Sequence, residues 1–332
     1  MRRLAVAVTG AVLLAGCSSP DDDAGPTGAT ATPSTSAPTA PTTPSATPDP
    51  TPSEPAPEPP EPDPRLTPDD VRPATAVAAV RHLAGEIGPR PGTSPAYREA
   101  ADWVEQQLTG HGWRVERQRF ATPGGVSWGV PVEAGPSVNL VATRGDVRPG
   151  EPWLLVGAHL DTVPQAPGAE DNASGVGVVL ALAEALDGRR TRLPVVLVAF
   201  GSEEPRGPTD DDHHYGSRAY VASLTPAQRR SLRAMVSLDR VGVGEAVPVG
   251  SAAEPNAITD RLQRAGREAG VPTEIDLFQR SSDHWSFVRD GLPAARLGST
   301  PYAGYHSEGD TADVVSRAQL DRVGRLMAAW LA

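Results

Sequence analysis

From residue 65 onward, short runs of apolar residues alternate with longer stretches in which apolar positions recur every three or four residues. The first pattern belongs to strands covered on both faces and the second to amphipathic helices. Four runs read as buried strands, over 138–142, 153–158, 195–200 and 234–238, and the apolar/polar alternation over 113–120 reads as an edge strand. Helices are expected over 95–108, 175–186, 255–269, 282–288 and 318–331. Strands separated by helical crossovers imply an α/β domain with a central mixed, mostly parallel sheet flanked by helices on both faces. Open sheets of this kind bind ligands beyond the carboxyl ends of their strands, so the residues just after each apolar run are the place to look for chemistry.

The first 64 residues do not follow this pattern. Arg2 and Arg3 precede an apolar run over 4–14, too short to span a bilayer, and then comes Leu14-Ala15-Gly16-Cys17. The arrangement is similar to a bacterial lipoprotein signal. That resemblance implies cleavage before Cys17, lipidation of Cys17 and a lipid anchor on the extracytoplasmic side of the cell membrane. The 36 prolines of the chain exceed what the turns of an ordinary domain absorb, and the excess gathers between 18 and 64 among Thr, Ser, Ala, Asp and Glu. The expected organisation is therefore a signal peptide over 1–16, a lipidated Cys17 with a disordered linker over 17–64, and one α/β domain over 65–332. Cys17 is the only cysteine, so the domain can form neither an internal disulfide nor a thiolate metal site. A net charge of −11 without a Lys/Arg-rich stripe argues against nucleic acid as a partner.

Several clusters lie where the ligand crevice should be. His159-Leu160-Asp161 leaves the run that starts at Trp153. Residues two apart on a strand share a face, so Asp161 can hold one imidazole nitrogen of His159 while the other nitrogen faces a metal. Glu170-Asp171-Asn172-Ala173-Ser174-Gly175 leads into a helix of small residues, where a carboxylate could equally be a cap. Glu203 and Glu204 follow the run ending at Phe200, and adjacent glutamates repel unless a cation or a shared proton compensates. Asp239 ends another apolar run, and Tyr305-His306 stands in a late loop. Each alone has an ordinary reading as an ion pair, a cap or a surface acid. Together they supply imidazole and carboxylate without thiolate, a donor set that suits zinc.

The ordered set His-x-Asp, Glu-Asp-Asn-x-Ser-Gly, Glu-Glu, Leu-Asp and Tyr-His resembles the co-catalytic di-zinc aminopeptidase family of the secreted bacterial leucyl aminopeptidase and aminopeptidase S type. The likeness covers most of 65–332. Ser282-Asp283-His284-Trp285-Ser286-Phe287 adds to it, being similar to a Ser-Asp-His segment that opens a helix in that family. The resemblance implies removal of residues from the free amino end of peptides by a catalytic domain expected to be monomeric, with two zinc ions per chain. His159 and Asp239 would ligate one ion, Glu204 and His306 the other, and Asp171 would bridge them. Glu203 is then left free as general base, and Tyr305 would donate a hydrogen bond to the developing oxyanion. A cis peptide between Asp171 and Asn172 is also implied.

Arg240 departs from the family, where an apolar residue often follows the ligand Asp. The tract Asp210-Asp211-Asp212-His213-His214 is expected to be a solvated loop, and Asp283 and His284 the start of a helix behind the cap Ser282. Two alternatives keep the fold: a glutaminyl-peptide cyclotransferase, and a non-catalytic envelope binding lipoprotein. Retention of the full ligand set favours hydrolysis.

Overall fold

The computed structural model describes residues 62–332 apart from 146, 147 and 149. The expected signal peptide, Cys17 and the linker as far as residue 61 lie outside the described residues. The strands in chain order are β1 (Arg114–Thr122), β2 (Gly125–Ser127), β3 (Val130–Val132), β4 (Gly135–Thr143) and β5 (Trp153–His159). There follow β6 (Val195–Phe200), β7 (Leu232–Leu238), β8 (Val247–Gly250), β9 (Thr273–Asp276) and β10 (Ala294–Leu297). The helices are α1 (Pro73–Val80), α2 (Pro95–Gly110), α3 (Ser174–Ala185), α4 (Tyr215–Ser223), α5 (Pro226–Ser231), α6 (Ala257–Ala269), α7 (His284–Arg289) and α8 (Arg317–Leu331).

Eight strands form one sheet in the order β1-β4-β6-β5-β7-β10-β8-β9, and β2 and β3 form a separate hairpin. The centre, β6-β5-β7-β10, is parallel, while β4 and β8 run antiparallel to their central neighbours. This is the expected mixed, mostly parallel sheet. Every residue of β5 and β6 is buried, because each strand is apolar on both faces and both faces are covered. Alternate residues divide between two cores. Leu154, Val156 and Ala158 pack with side chains of α1, α2, α3, α6 and α8, whereas Trp153 and Leu155 pack with Tyr220 of α4 and Phe287 of α7. At the edge, β1 pairs only with β4 in this sheet and alternates in exposure as its sequence does.

Five short strands, β2, β3 and β8 to β10, and three helices, α1, α4 and α5, are not legible in the sequence. Strands of three or four residues are too short to show a period. The helix α1, Pro-Ala-Thr-Ala-Val-Ala-Ala-Val, lacks a polar face from which to read 3.6-residue periodicity, because it packs against both α3 and α8. The start of α3 lies hard against the end of β7: a Cβ on Gly175 would come 2.3 Å from the Leu238 carbonyl oxygen, so only glycine permits the approach. That contact brings the turn before α3, with Asp171, beside Asp239 after β7.

Candidate metal centre

The ends of three neighbouring parallel strands converge here. His159 is the last residue of β5, Glu203 and Glu204 follow β6, and Asp239 follows β7. Asp171 comes from the turn into α3 and His306 from the loop after β10. The Asp171 carboxylate stands between the two imidazoles, with Oδ1 3.1 Å from His159 Nε2 and Oδ2 3.0 Å from His306 Nε2. Asp239 Oδ1 lies 3.8 Å from the same nitrogen of His159, and Glu204 Oε2 lies 3.6 Å from His306 Nε2. Donor atoms of His159, Asp171 and Glu204, and likewise of His159, Glu203 and Asp239, fall within 4.8 Å of one another. The five ligands expected from the sequence thus meet, with Asp171 in the shared position and its peptide to Asn172 in the cis form.

The residues fit a metal on their own chemistry. Their side chains are all at least nine-tenths buried, and Glu204 Oε1 and His306 Nδ1 have no hydrogen-bond partner. Four carboxylates crowded into a dry pocket cost a great deal unless cations neutralise them. The titration of the groups reflects this crowding. Burial, together with Asp239, Asp161 and Asp171, outweighs His159 and pushes Glu203 up to about 7. Burial and the charges of Asp171 and Glu203 hold Glu204 well above the usual carboxylate range. For Asp171 burial pulls upward, but the hydrogen-bonded imidazoles of His159 and His306 win and hold it well below. His159 behaves conversely: burial disfavours its charge, yet Glu203, Asp171 and Asp239 raise it well above an ordinary imidazole.

Asp161 is placed differently from expectation. Its carboxylate oxygen is 3.8 Å from His159 Nδ1, while its backbone carbonyl is the nearer partner at 3.1 Å. The carboxylate instead accepts hydrogen bonds from the backbone N–H groups of Glu203 (2.9 Å) and Glu204 (3.1 Å). The β6 exit turns sharply at Ser202 (φ 51°) and aims two amides at it. Tyr305 lines the cavity, its ring stacked on His306 at 3.7 Å, and among the described residues nothing hydrogen-bonds its hydroxyl.

Two expectations of solvated or capping roles do not hold. Asp210 and Asp211 are exposed, but His214 turns inward in a left-handed conformation (φ 57°), is buried, and brings Nε2 to 3.1 Å from Glu203 Oε1. Burial lowers its imidazole to about 4. Ser282 caps nothing with its side chain; its hydroxyl pairs with that of Ser237 at 2.8 Å in the core. Asp283 and His284 do open α7 as expected, Asp283 at the N-cap position and His284 as the first helical residue, and both are fully buried.

Sequence reading also gave no role to three residues that fix the expected ligands. Asp310 accepts from the backbone N–H groups of Glu170 (2.8 Å) and Asp171 (3.1 Å). Glu170, at the same turn, accepts from Gly242 (2.8 Å) and Val243 (3.1 Å), tying it to the loop after β7. Arg296 is fully buried on β10 and reaches Asp239 Oδ2 at 3.3 Å. An arginine inside the apolar run Ala-Ala-Arg-Leu was the one available signal; Asp310 sits in a polar loop that gives none.

Residues 139–331 match the family model described as Peptidase family M28. The chain belongs to peptidase family M28. Among curated M28-like relatives, "Uncharacterized protein YfbL" of Escherichia coli is 28% identical over 299 residues, covering 77% of this chain and 87% of that protein. The chain spans half or less of the length of several other relatives at similar identity. The zinc aminopeptidase BSAP of Bacillus subtilis shares the fold with a TM-score of 0.69 at 17% identity, over 78% of this chain and 94% of that one. The glutaminyl cyclase of Porphyromonas gingivalis shares it with a TM-score of 0.67 at 22% identity, over 79% and 98%. Family and fold bear out the expected metallopeptidase class and the expected sheet architecture.

Proposed function

We propose that this M28 chain is a di-zinc aminopeptidase that acts on peptides with a free N-terminus, outside the cytoplasm and tethered to the membrane by lipid on Cys17. The observation that carries the reading is the Asp171 carboxylate with one oxygen toward each of two imidazoles, the placement a bridging ligand requires. His159 and Asp239 would hold one zinc, Glu204 and His306 the other, with Asp171 shared. Bound there, zinc would polarise the scissile carbonyl and lower the pKa of the attacking water. The side chains do the rest. Glu203, outside the ligand set and with His214 Nε2 3.1 Å from its Oε1, takes the proton of the water and delivers it to the leaving amine. Tyr305, with an unengaged hydroxyl at the cavity wall, donates to the developing oxyanion. The membrane location rests on the signal-like residues 2–17 and the composition of 18–64, and the catalytic domain is proposed to be monomeric.

The test joins metal content with a substrate panel. Zinc per chain is measured on the purified domain, then hydrolysis of aminoacyl peptides, their N-acetylated forms and a glutaminyl peptide. Two zinc ions and cleavage only of free amino ends are expected. Equal cleavage of blocked peptides would refute the aminopeptidase reading, and pyroglutamyl product without hydrolysis would establish the cyclase alternative.

A further inference from the structure

Arg240 immediately follows the ligand Asp239 and adopts a left-handed backbone (φ 57°), where its N–H donates to Asn172 Oδ1 at 3.2 Å. The side chain is 13% exposed and lines the same cavity of about 370 Å³ as Glu203 and the metal ligands. Its guanidinium lies over the Tyr305 ring at 4.3 Å, with Nε 3.7 Å from Asp239 Oδ1. Among the described residues, no group accepts a hydrogen bond from that guanidinium.

Other buried arginines of the domain differ in this respect. Arg90 donates to five backbone carbonyls, among them those of Leu160 and Gly168; Arg206 to those of Pro123 and Glu133; and Arg296 to the Ser281 hydroxyl. Nor does Asp239 need Arg240, because Arg296 already faces its other oxygen at 3.3 Å. A nearly buried guanidinium with its fork of donors unfilled, aimed into a substrate cavity and stiffened by an aromatic ring, is built for an anion of planar, two-oxygen geometry. Arg280, stacked on Trp285 at 4.9 Å, lines the same cavity and adds to its positive charge.

We propose that Arg240 receives a carboxylate of the substrate, so that the enzyme selects peptides carrying a carboxylate close to the scissile bond. This inference rests on the aminopeptidase reading. Two substrate groups present the same chemistry: an acidic first side chain, and the free C-terminus of a dipeptide. A neutral apolar residue at this position, as the family often has, would leave the cavity without that handle.

The experiment compares kcat/KM of the zinc-loaded protein on glutamyl- against leucyl-p-nitroanilide, and on leucyl-leucine against leucyl-leucinamide. A preference for the carboxylate member of about ten- to a hundredfold is expected in one pair, in line with charge-assisted hydrogen bonds, and the pair that shows it identifies the source. Arg240→Met should collapse that ratio toward one, mainly through KM, while Arg240→Lys, which keeps the charge and loses the fork, should retain part of it. Hydrolysis of all four without a carboxylate preference, or a preference that survives Arg240→Met, overturns this inference alone. No hydrolysis of any of them overturns the aminopeptidase reading and the inference with it.

Discussion

One oxygen of the Asp161 carboxylate accepts the backbone N–H of Glu203 at 2.9 Å, and its other oxygen accepts that of Glu204 at 3.1 Å. A single side chain just beyond β5 therefore sets the aim of both the proposed general base and a proposed metal ligand after β6. Asn at 161 would keep one acceptor and turn an NH₂ toward the second amide. Asp161→Asn should weaken zinc binding by about ten- to a hundredfold, as outer partners of metal ligands commonly do, with the fold retained. Competition titration against a chromophoric chelator reads this, and unaltered affinity would show that the clamp is dispensable.

Glu203 is the carboxylate of the cluster that the proposed ligand set leaves free, and His214 Nε2 stands 3.1 Å from its Oε1. Glu203→Gln should keep both zinc ions and lose about two to four orders of magnitude in kcat, the usual share of a general base. His214→Leu should lower kcat by a smaller factor at unchanged KM, and His214→Gln, which keeps a polar group beside Glu203, should recover part of it. Full activity in Glu203→Gln, measured on a metal-replete sample, would remove Glu203 from the base role.

Asp171 is the proposed shared carboxylate, and two divalent cations about 3.5–4 Å apart repel strongly without one. Asp171→Ala should lose at least one zinc per chain and the stability that the metal confers by binding the folded state. Metal analysis with thermal unfolding at matched zinc concentration checks both. Two retained ions would rule out the bridge.

Much of this site is legible in the sequence, for a physical reason. Ligands of His159, Glu204 and Asp239 type fall at the ends of strongly apolar strands, and apolar runs are what periodicity detects. The residues that aim them were less visible. Asp310 acts across 139 residues of sequence through the backbone N–H of Asp171, a role no local pattern encodes. His214 sits in a tract so acidic that its neighbours argue for solvent, yet one left-handed residue turns the ring inward. Asp161 was seen, but its partner was misjudged. Strand alternation places it on the face of His159, whereas the Glu203 and Glu204 amides compete better for a carboxylate than an imidazole 3.8 Å away does.

Cys17 would anchor the domain through two or more acyl chains, which bind a bilayer far more firmly than one. A proline-rich linker of about 45 residues could reach at most about 140 Å at roughly 3.1 Å per residue. Cys17→Ser should shift the protein from the membrane fraction to the soluble fraction or culture fluid, and a chain starting near Arg65 should remain soluble and active. Unchanged membrane association of Cys17→Ser would refute the anchor.

The last prediction concerns acid stability. His284, the first residue of α7, is fully buried, with Nε2 2.9 Å from the Gln279 carbonyl oxygen and Nδ1 without a partner. Burial, helped by the nearby Arg296 charge, lowers its imidazole to about 3, against 6.5 for a free one. Above pH 6.5 the folded and unfolded chains both carry it neutral, and its contribution to stability is fully present. As pH falls below 6.5 the unfolded imidazole takes up a proton that the folded one refuses, so stability is lost progressively until the pH reaches about 3. The loss approaches about 1.4 kcal/mol per pH unit for this one group. His284→Gln, which keeps a donor for the Gln279 carbonyl, should show a shallower fall in unfolding free energy between pH 7 and pH 5. The comparison is made by urea titration in excess chelator, so that release of zinc from the carboxylate cluster does not enter either curve. Parallel pH curves for the two proteins would mean that His284 titrates alike in the folded and unfolded chains.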